Sequence, residues 1–150
     1  MAPPKPNPGD FRHHLFRAFV GAHKALYRVS RGRVGGWLAG PILLLTTTGR
    51  KTGLPRTLPL LYLKTQTGYA LVASYGGSDR HPAWYLNLVD DPAVEIQVGA
   101  QRLQARAETA EPARRGELWP RFLEIYSDYD TYQKRTEREI PIVELTAVAS

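Results

Sequence analysis

The front of the chain has a helical pattern. Apolar residues recur at helical spacing over residues 11–29, with basic residues between them, and Asp10 is suited to cap the start. We therefore predict an amphipathic helix over residues 11–29, which a basic, Gly-rich connector joins to the rest of the chain at residue 40. Two roles fit this helix: packing on the remainder of the fold, or lying on an anionic membrane surface through residues 11–33. The Pro-rich residues 1–10 are expected to be disordered.

From Ile42 onward the pattern changes to short runs of β-branched and apolar residues separated by turn residues. The predicted strands span residues 42–48, 57–64, 69–74, 94–98, 102–108 and 142–148. A short helix is predicted over residues 83–89, and a helical pattern that starts at Glu111 is expected to break or kink at Pro120. Several short strands with few helices favour a small barrel in the α+β class over a parallel sheet.

The length of 150 residues suits one core, which we place in residues 41–150. The chain contains no Cys, so disulfides, thiolate metal sites and thiol catalysis are excluded, and we predict no metal site. No apolar run reaches the roughly 18–20 residues that span a membrane, and the first ten residues do not resemble a signal peptide. We therefore expect a cytoplasmic protein, with peripheral attachment to the inner face of the cell membrane if the front helix lies on lipid.

Positive charge is concentrated in the first third of the chain. Residues 1–56 contain ten Lys or Arg and one Asp, a net charge of +9, whereas residues 57–150 contain ten Lys or Arg and thirteen Asp or Glu, a net charge of −3. Such asymmetry indicates an anionic partner for the front third. We do not expect nucleic acid, because the basic residues of 12–33 lie on a helix with a broad apolar face and no nucleic-acid motif is present.

A basic hairpin is the first candidate site. Residues 47–57 read TTGRKTGLPRT across a strand end and a turn, and they bring Arg50, Lys51 and Arg56 together. Two glycines relax the backbone so that amide groups can converge, and guanidinium groups bind phosphate oxygens with charge-assisted hydrogen bonds. The spacing does not match a P-loop. The segment is therefore either a phosphate site or a hairpin tip with ordinary surface charge.

A second candidate site follows the third predicted strand. Ser74 stands where that strand opens into a Gly-Gly turn, and Trp84 and Asn87 share one face of the next helix. Trp supplies a flat apolar wall, and Asn supplies a donor and an acceptor, which together suit a heteroaromatic ring. The alternative is that Trp84 belongs to the core and that His81, next to Pro82, is a turn residue.

Three tyrosines near the end of the chain form a third candidate. Tyr126, Tyr129 and Tyr132 are spaced by three, so one continuous helix would place them on one side. A stripe that faces the core is one interpretation. A set of phenols over a cavity is the other, because each buried hydroxyl needs a partner.

These segments together resemble the deazaflavin-dependent nitroreductases, a branch of the flavin/deazaflavin split-barrel oxidoreductases. The resemblance rests on LTTTGRKTGLPR at residues 45–56, VASYGG at 72–77, HPAWYLN at 81–87 and REIPIV at 138–143. It implies a split β-barrel of about six or seven strands with flanking helices. It also implies that the cofactor is reduced coenzyme F420, whose phosphodiester and acidic tail would meet the basic hairpin. At Tyr75 this chain departs from relatives that often have Lys.

The resemblance also implies a set of site residues. Ser74 and Tyr129 are expected to be catalytic, and Tyr126 and Tyr132 to line the acceptor pocket. The implied cofactor-binding residues are Arg50, Lys51, Thr52, Arg56, Thr57, Leu58, Pro59, Leu60, Leu61, Val72, Ala73, Ser74, Tyr75, Ala83, Trp84, Tyr85, Leu86, Asn87 and Tyr129.

The expected reaction is hydride transfer from the reduced deazaflavin to a small acceptor: a quinone, a nitro compound (nitroaromatic) or an activated alkene (enone). Tyr129 and Ser74 are then expected to stabilise the negative oxygen or to donate a proton. Two alternatives are an FMN-dependent oxidoreductase with the same barrel, and a carrier of deazaflavin or lipid without catalysis. The sequence leaves the oligomeric state open.

Overall fold

The structure, a computed structural model, describes residues 41–148. The predicted disordered lead at 1–10 and the predicted helix and connector at 11–40 lie outside the described residues. Within the described part, no helix is long and apolar enough to cross a membrane.

In the described part of the chain, seven antiparallel strands form a single sheet in the order β2-β1-β5-β6-β7-β4-β3. Three α-helices and one 3₁₀ turn (Tyr75–Gly77) accompany the sheet within these same residues. The strands are β1 (Ile42–Thr48), β2 (Pro55–Leu61), β3 (Leu63–Lys64), β4 (Gly68–Val72), β5 (Ala93–Val98), β6 (Gln101–Thr109) and β7 (Ile142–Ala147). The helices are α1 (Ala83–Asp90), α2 (Pro112–Ile125) and α3 (Asp128–Lys134).

The two edges of this sheet meet at one corner. Strands β2 and β3 stand at opposite edges, yet only Tyr62 separates them in sequence. Leu61 pairs with Ile42 of β1, whereas Leu63 pairs with Ala70 of β4. The chain therefore passes directly from one edge to the other and curls the sheet into the expected split barrel. The single strand predicted over residues 57–64 is divided in two because the chain changes its pairing partner at Tyr62.

Alternate residues of the strands fill the barrel interior, as the period of two in a strand requires. On β1 the buried interior residues are Leu43 and Leu45, which lie opposite Leu60 and Leu58 of β2. Helix α1 closes one opening of the barrel, since its aromatic residues join the same cluster. The buried members of this cluster are Leu43, Leu45, Tyr69, Leu71, Ala73, Trp84, Tyr85, Leu88, Val94, Ile96, Ala105, Ala107, Val143 and Leu145.

A second core lies on the other face of β4 and β7, under α2 and α3. Its largest fully buried side chain is Phe122, whose removal from water contributes about 1.5–3 kcal/mol. Val72 and Ile142 contribute from the strands, and Tyr129 joins from α3. The barrel thus has one core inside and one outside, and the second core fixes where the tyrosine-bearing helix sits.

Helix α2 continues through Pro120, so a break into two helices at that residue, one of the two outcomes predicted there, is wrong. The chain leaves the helix at Tyr126 instead, where the backbone is extended (φ −149°, ψ 94°). Pro120 is exposed, so the carbonyl of Gly116 that loses its amide partner can be solvated. Leu118 and Phe122 are fully buried on either side of the proline, and their packing holds the helix together.

Candidate functional site

A groove of about 780 Å³ opens between the β1–β2 hairpin, the end of β4 and the start of α1. These three segments are distant in sequence but adjacent in the curled sheet. The residues that line the groove are Gly49, Arg50, Lys51, Thr52, Arg56, Thr57, Leu58, Leu60, Val72, Ser74, Tyr75, Pro82, Ala83, Trp84 and Asn87.

The β1–β2 turn is closed by two backbone hydrogen bonds that involve Gly49. Its N–H donates to the carbonyl of Leu54 at 2.8 Å, and its carbonyl accepts from the N–H of Gly53 at 2.7 Å. A Cβ at Gly49 would stand 2.8 Å from the Thr52 hydroxyl oxygen, and Gly53 has a φ of +72°. Both positions therefore favour glycine, the first because of space and the second because of its backbone angle.

Three cations of this hairpin face the groove without an acidic partner. Arg50, Lys51 and Arg56 line the cavity and are exposed. None of them forms an ion pair with a carboxylate of residues 41–148. Their charges are therefore available to an anion in the groove, which favours the phosphate-site interpretation of the hairpin over ordinary surface charge.

Asn87 connects helix α1 to this hairpin. Its side chain is 5% exposed, and its Oδ1 accepts a hydrogen bond from the N–H of Arg50 at 3.1 Å. Its Nδ2 donates to Oγ1 of Thr47 at 3.2 Å. An unpaired buried amide would cost about 1–3 kcal/mol, so the two partners specify one position for the hairpin. Asn87 thus acts on the groove by holding Arg50 in place.

Trp84 forms a flat apolar wall of the groove while remaining 7% exposed. Its neighbour Tyr85 meets it edge to face, with ring centroids 6.4 Å apart. Trp84 is therefore both a core residue and a groove residue. From the sequence these two roles are alternatives, whereas the structure places Trp84 both in the interior cluster and in the groove lining.

The turn after β4 has an unusual backbone. Tyr75, Gly76 and Gly77 have φ values of +46°, +64° and +83°, and Tyr75 is the only non-glycine residue with positive φ among residues 41–148. Its side chain is 60% exposed at the groove rim, beside Ser74. A Cβ on Gly77 would come within 2.5 Å of the carbonyl oxygen of Tyr132. The turn is thus pressed against the backbone of α3.

The predicted cofactor-binding residues divide between the groove and its surroundings. Pro59 and Leu61 lie outside the lining because they alternate with Leu58 and Leu60 along β2. Those that line the cavity are Arg50, Lys51, Thr52, Arg56, Thr57, Leu58, Leu60, Val72, Ser74, Tyr75, Ala83, Trp84 and Asn87. Those outside the lining are Pro59, Leu61, Ala73, Tyr85, Leu86 and Tyr129.

Two residues outside the lining serve the core. Ala73 is fully buried in the barrel interior. Tyr85 is turned toward β6, where its hydroxyl lies 2.9 Å from Oγ1 of Thr109.

The prediction also omitted two lining residues, Gly49 and Pro82. Their sequence signals are the turn glycine of the basic hairpin and the proline that precedes α1.

The three tyrosines form one cluster although no continuous helix carries them. Tyr126 caps the end of α2, whereas Tyr129 and Tyr132 belong to α3. The ring centroids of Tyr126 and Tyr129 are 5.0 Å apart, and the hydroxyls of Tyr126 and Tyr132 are 2.9 Å apart. None of the three side chains lines the groove. The backbone of Tyr132 packs against Gly77, which follows the groove residue Tyr75 by two positions.

Tyr129 occupies the centre of this cluster. It is 7% exposed and meets Phe122 edge to face at 6.0 Å, yet its hydroxyl makes no hydrogen bond within residues 41–148. Burial, and secondarily Tyr132, raises the pKa of Tyr129 to about 12. The hydrogen bond to Tyr132, followed by burial, also raises the pKa of Tyr126. Both phenols therefore stay protonated at neutral pH, and each keeps a proton that it can donate.

Comparison with known proteins agrees with this architecture. The sequence profile of the family described as F420H(2)-dependent quinone reductase matches residues 19–147. An F420H(2)-dependent quinone reductase of Mycobacterium tuberculosis is 44% identical over 138 residues, which cover 89% of this chain and 93% of that protein.

Solved structures give the same result for the fold. One described as an F420-H2 dependent reductase (FDR-A) is 39% identical, with a TM-score of 0.64 over 71% of this chain and 93% of that chain. Another, described as a domain-swapped dimer, is 34% identical, with a TM-score of 0.67 over 93% of this chain and 99% of that chain.

Proposed function

The chain belongs to the F420H(2)-dependent quinone reductase family, and we propose that it transfers hydride from reduced coenzyme F420 to a quinone. The observation that carries this proposal is the groove itself. It joins three cations that have no acidic partner within residues 41–148 to a flat apolar wall at Trp84.

The groove residues fit the two chemical halves of the cofactor. Arg50 and Arg56 suit the phosphodiester and acidic tail, since guanidinium groups bind such oxygens in charge-assisted pairs. The ring system requires flat apolar contact, which Trp84, Leu60 and Val72 of the lining supply. When bound, reduced F420 supplies a hydride from its deazaflavin ring.

On this proposal, the chain's own residues bind, orient and exclude water. The hairpin cations hold the anionic part of the cofactor, and Asn87 keeps the hairpin in place through Arg50. Trp84 and the apolar strand residues exclude water from one side of the ring. A dry, oriented contact favours hydride transfer because the reacting atoms must approach to about 3–3.5 Å.

We assign the acceptor side to Ser74 and the tyrosine cluster. Ser74 lines the groove at the end of β4, and the cluster adjoins it across the turn at Gly77. Tyr129 has a protonated hydroxyl with no partner among the described residues, so it is suited to donate to an acceptor oxygen that gains negative charge. We assign Tyr126 and Tyr132, a hydrogen-bonded pair beside Tyr129, to the border of the acceptor pocket, although neither side chain lines the groove itself.

The test is an assay of reduced F420 oxidation, followed optically, with menadione, cyclohexenone and a nitroimidazole as separate acceptors. We expect menadione to give the fastest oxidation. If the enone or the nitro compound is reduced faster than menadione, the proposed substrate class is wrong, and the faster acceptor indicates the correct one. Binding of F420 without oxidation by any acceptor would favour the carrier alternative.

A parallel assay with FMN and NADPH separates the two cofactors. FMN lacks the acidic tail, so its binding should fall less than F420 binding as salt is raised. Tighter binding of FMN than of F420 would contradict the assignment of the hairpin to an acidic tail.

A further inference from the structure

Arg138 lies between α3 and β7 and belongs to the REIPIV segment, to which the proposed function gives no role. Its guanidinium group binds both ends of the loop that connects β4 to α1. Nη2 donates to the carbonyl of Ser74 at 2.8 Å, and Nε donates to the carbonyl of Ser78 at 2.7 Å. Nη1 donates to the carbonyl of Ala73 at 3.3 Å and lies 3.2 Å from Nδ1 of His81.

These bonds act on the peptide planes around Ser74. The carbonyls of Ala73 and Ser74 belong to the two planes that flank the α-carbon of Ser74. Because both carbonyls accept hydrogen bonds from one guanidinium group, Arg138 fixes the two peptide planes and therefore the direction of the Ser74 side chain. The carbonyl of Ser74 also accepts from the N–H of Gly77 at 2.9 Å, which extends the constraint to the turn.

The backbone of this turn requires such support. Three successive residues with positive φ begin at Tyr75, whose side chain disfavours that conformation. Residues held in sparsely populated regions persist only where the surroundings over-determine them. Arg135 adds one bond to the carbonyl of Gly76 at 3.3 Å. Arg138 supplies most of the remaining side-chain bonds to the loop.

We propose that Arg138 is a positioning residue for F420-dependent reduction, which holds residues 73–81 so that Ser74 and Tyr75 keep their places in the groove. The inference rests on the proposed function of that groove. Arg suits the role because its planar fork of five donors reaches several acceptors at once, whereas Lys offers one point of charge. A guanidinium only donates, so Nδ1 of His81 must accept and the imidazole carries its proton on Nε2.

The test compares Arg138→Lys and Arg138→Met with Arg114→Lys and Arg114→Met. Arg114 is a matched control because it pairs with Glu144 of β7 and Glu117 of α2 but does not line the groove. We expect the Arg138 variants to lose at least tenfold in kcat with menadione and several-fold in F420 affinity. The Arg114 variants should keep kcat and affinity within about twofold.

Two further readouts separate positioning from general loss of stability. Free guanidinium chloride at millimolar concentration should restore part of the turnover of Arg138→Ala, whereas equal sodium chloride should not. Amide hydrogen exchange at residues 74–78 should accelerate at least tenfold in Arg138→Lys, while the amides of β5 and β6 keep their rates. If the protein reduces no acceptor, F420 affinity and exchange still test Arg138, so the two failures are distinguishable.

Folded Arg138→Lys and Arg138→Met proteins with wild-type kcat, F420 affinity and exchange at residues 74–78 would overturn the proposal. Equal acceleration of exchange throughout the sheet would also overturn it, because Arg138 would then support the fold as a whole. Should Arg138→Met fail to fold, the Lys variant and the guanidinium rescue decide the question.

Discussion

The two walls that we propose for the site are built by different physical means. The wall proposed for the cofactor joins the β1–β2 hairpin to α1 through the two hydrogen bonds of buried Asn87, and it presents cations that have no acidic partner among residues 41–148. The wall proposed for the acceptor is an aromatic cluster beside the groove, which ring contacts and one phenol pair hold together. The first wall is specified by directional bonds and charge, and the second by packing on an outer core.

This difference predicts a division of labour between the walls. Changes to the hairpin should alter cofactor affinity and its dependence on salt, since charge acts there. Changes to the tyrosine cluster should alter turnover and stability, since burial and a protonated hydroxyl act there. A hairpin variant that changes turnover but not cofactor affinity, or a tyrosine variant that changes cofactor affinity, would show that the two walls work as one unit.

The largest effect is expected from the double variant Arg50→Ala/Arg56→Ala. A hydrogen bond to a charged group contributes about 1.5–3 kcal/mol, so F420 affinity should fall on the order of 100-fold or more. Fluorescence titration at low and high salt would show the loss shrinking as salt screens the charges. The double variant Arg102→Ala/Arg106→Ala on β6 removes the same charge away from the groove. An equal loss in both would indicate a long-range field instead of direct contacts.

Alkaline pH should destabilise the tyrosine side. The pKa of Tyr129 rises from its ordinary value of 10 to about 12 on folding, so its stabilising contribution is complete below pH 10 and is lost as pH rises from 10 to 12. Two pKa units correspond to about 2–3 kcal/mol of unfolding free energy. Urea unfolding at a series of pH values should show a shallower decline for Tyr129→Phe. Parallel curves for the two proteins would mean that Tyr129 titrates normally.

A pair of glycine variants tests the contact between the walls. Both Gly76 and Gly77 have positive φ, so alanine costs about 1–2 kcal/mol at either position. Only at Gly77 would the new Cβ meet the backbone of Tyr132, which adds about 1–3 kcal/mol. We therefore expect Gly77→Ala to unfold at lower urea concentration than Gly76→Ala. Equal stability of the two variants would show that α3 yields freely and that the contact does not couple the walls.

The smallest effect is expected from Tyr129→Phe on catalysis. Loss of one neutral hydrogen bond of about 1 kcal/mol or slightly more should reduce kcat with menadione about tenfold, with F420 affinity nearly unchanged. Tyr69→Phe is the matched control and should keep wild-type kcat, since this buried tyrosine of β4 lies outside the groove lining. Wild-type turnover in Tyr129→Phe would remove this hydroxyl from the reaction.

Features that depend on neighbouring residues were predictable from the sequence. The strand pattern of β1, the alternation of β5 and β6 and the charges of the hairpin are all local, and the structure shows these elements within a residue or two of the predicted bounds. The behaviour of Pro120 was not predictable in this way. Its helix survives because Leu118 and Phe122 are buried on an outer core that sequence spacing does not reveal.

The same distinction between local features and tertiary contacts applies to the site residues. The sequence by itself determined which groups are available: a basic glycine hairpin, a Trp and Asn on one helical face, and three phenols at regular spacing. Only the tertiary structure decided that the side-chain amide of Asn87 forms hydrogen bonds with Thr47 and Arg50. The same holds for the hydrogen bonds that Arg138 donates to carbonyls of the loop after β4. Such partners are about 40 to 65 residues apart in the chain, and curling of the sheet at Tyr62 brings them together. The local sequence pattern determines which chemical groups are present, whereas closure of the barrel determines which atoms each group contacts.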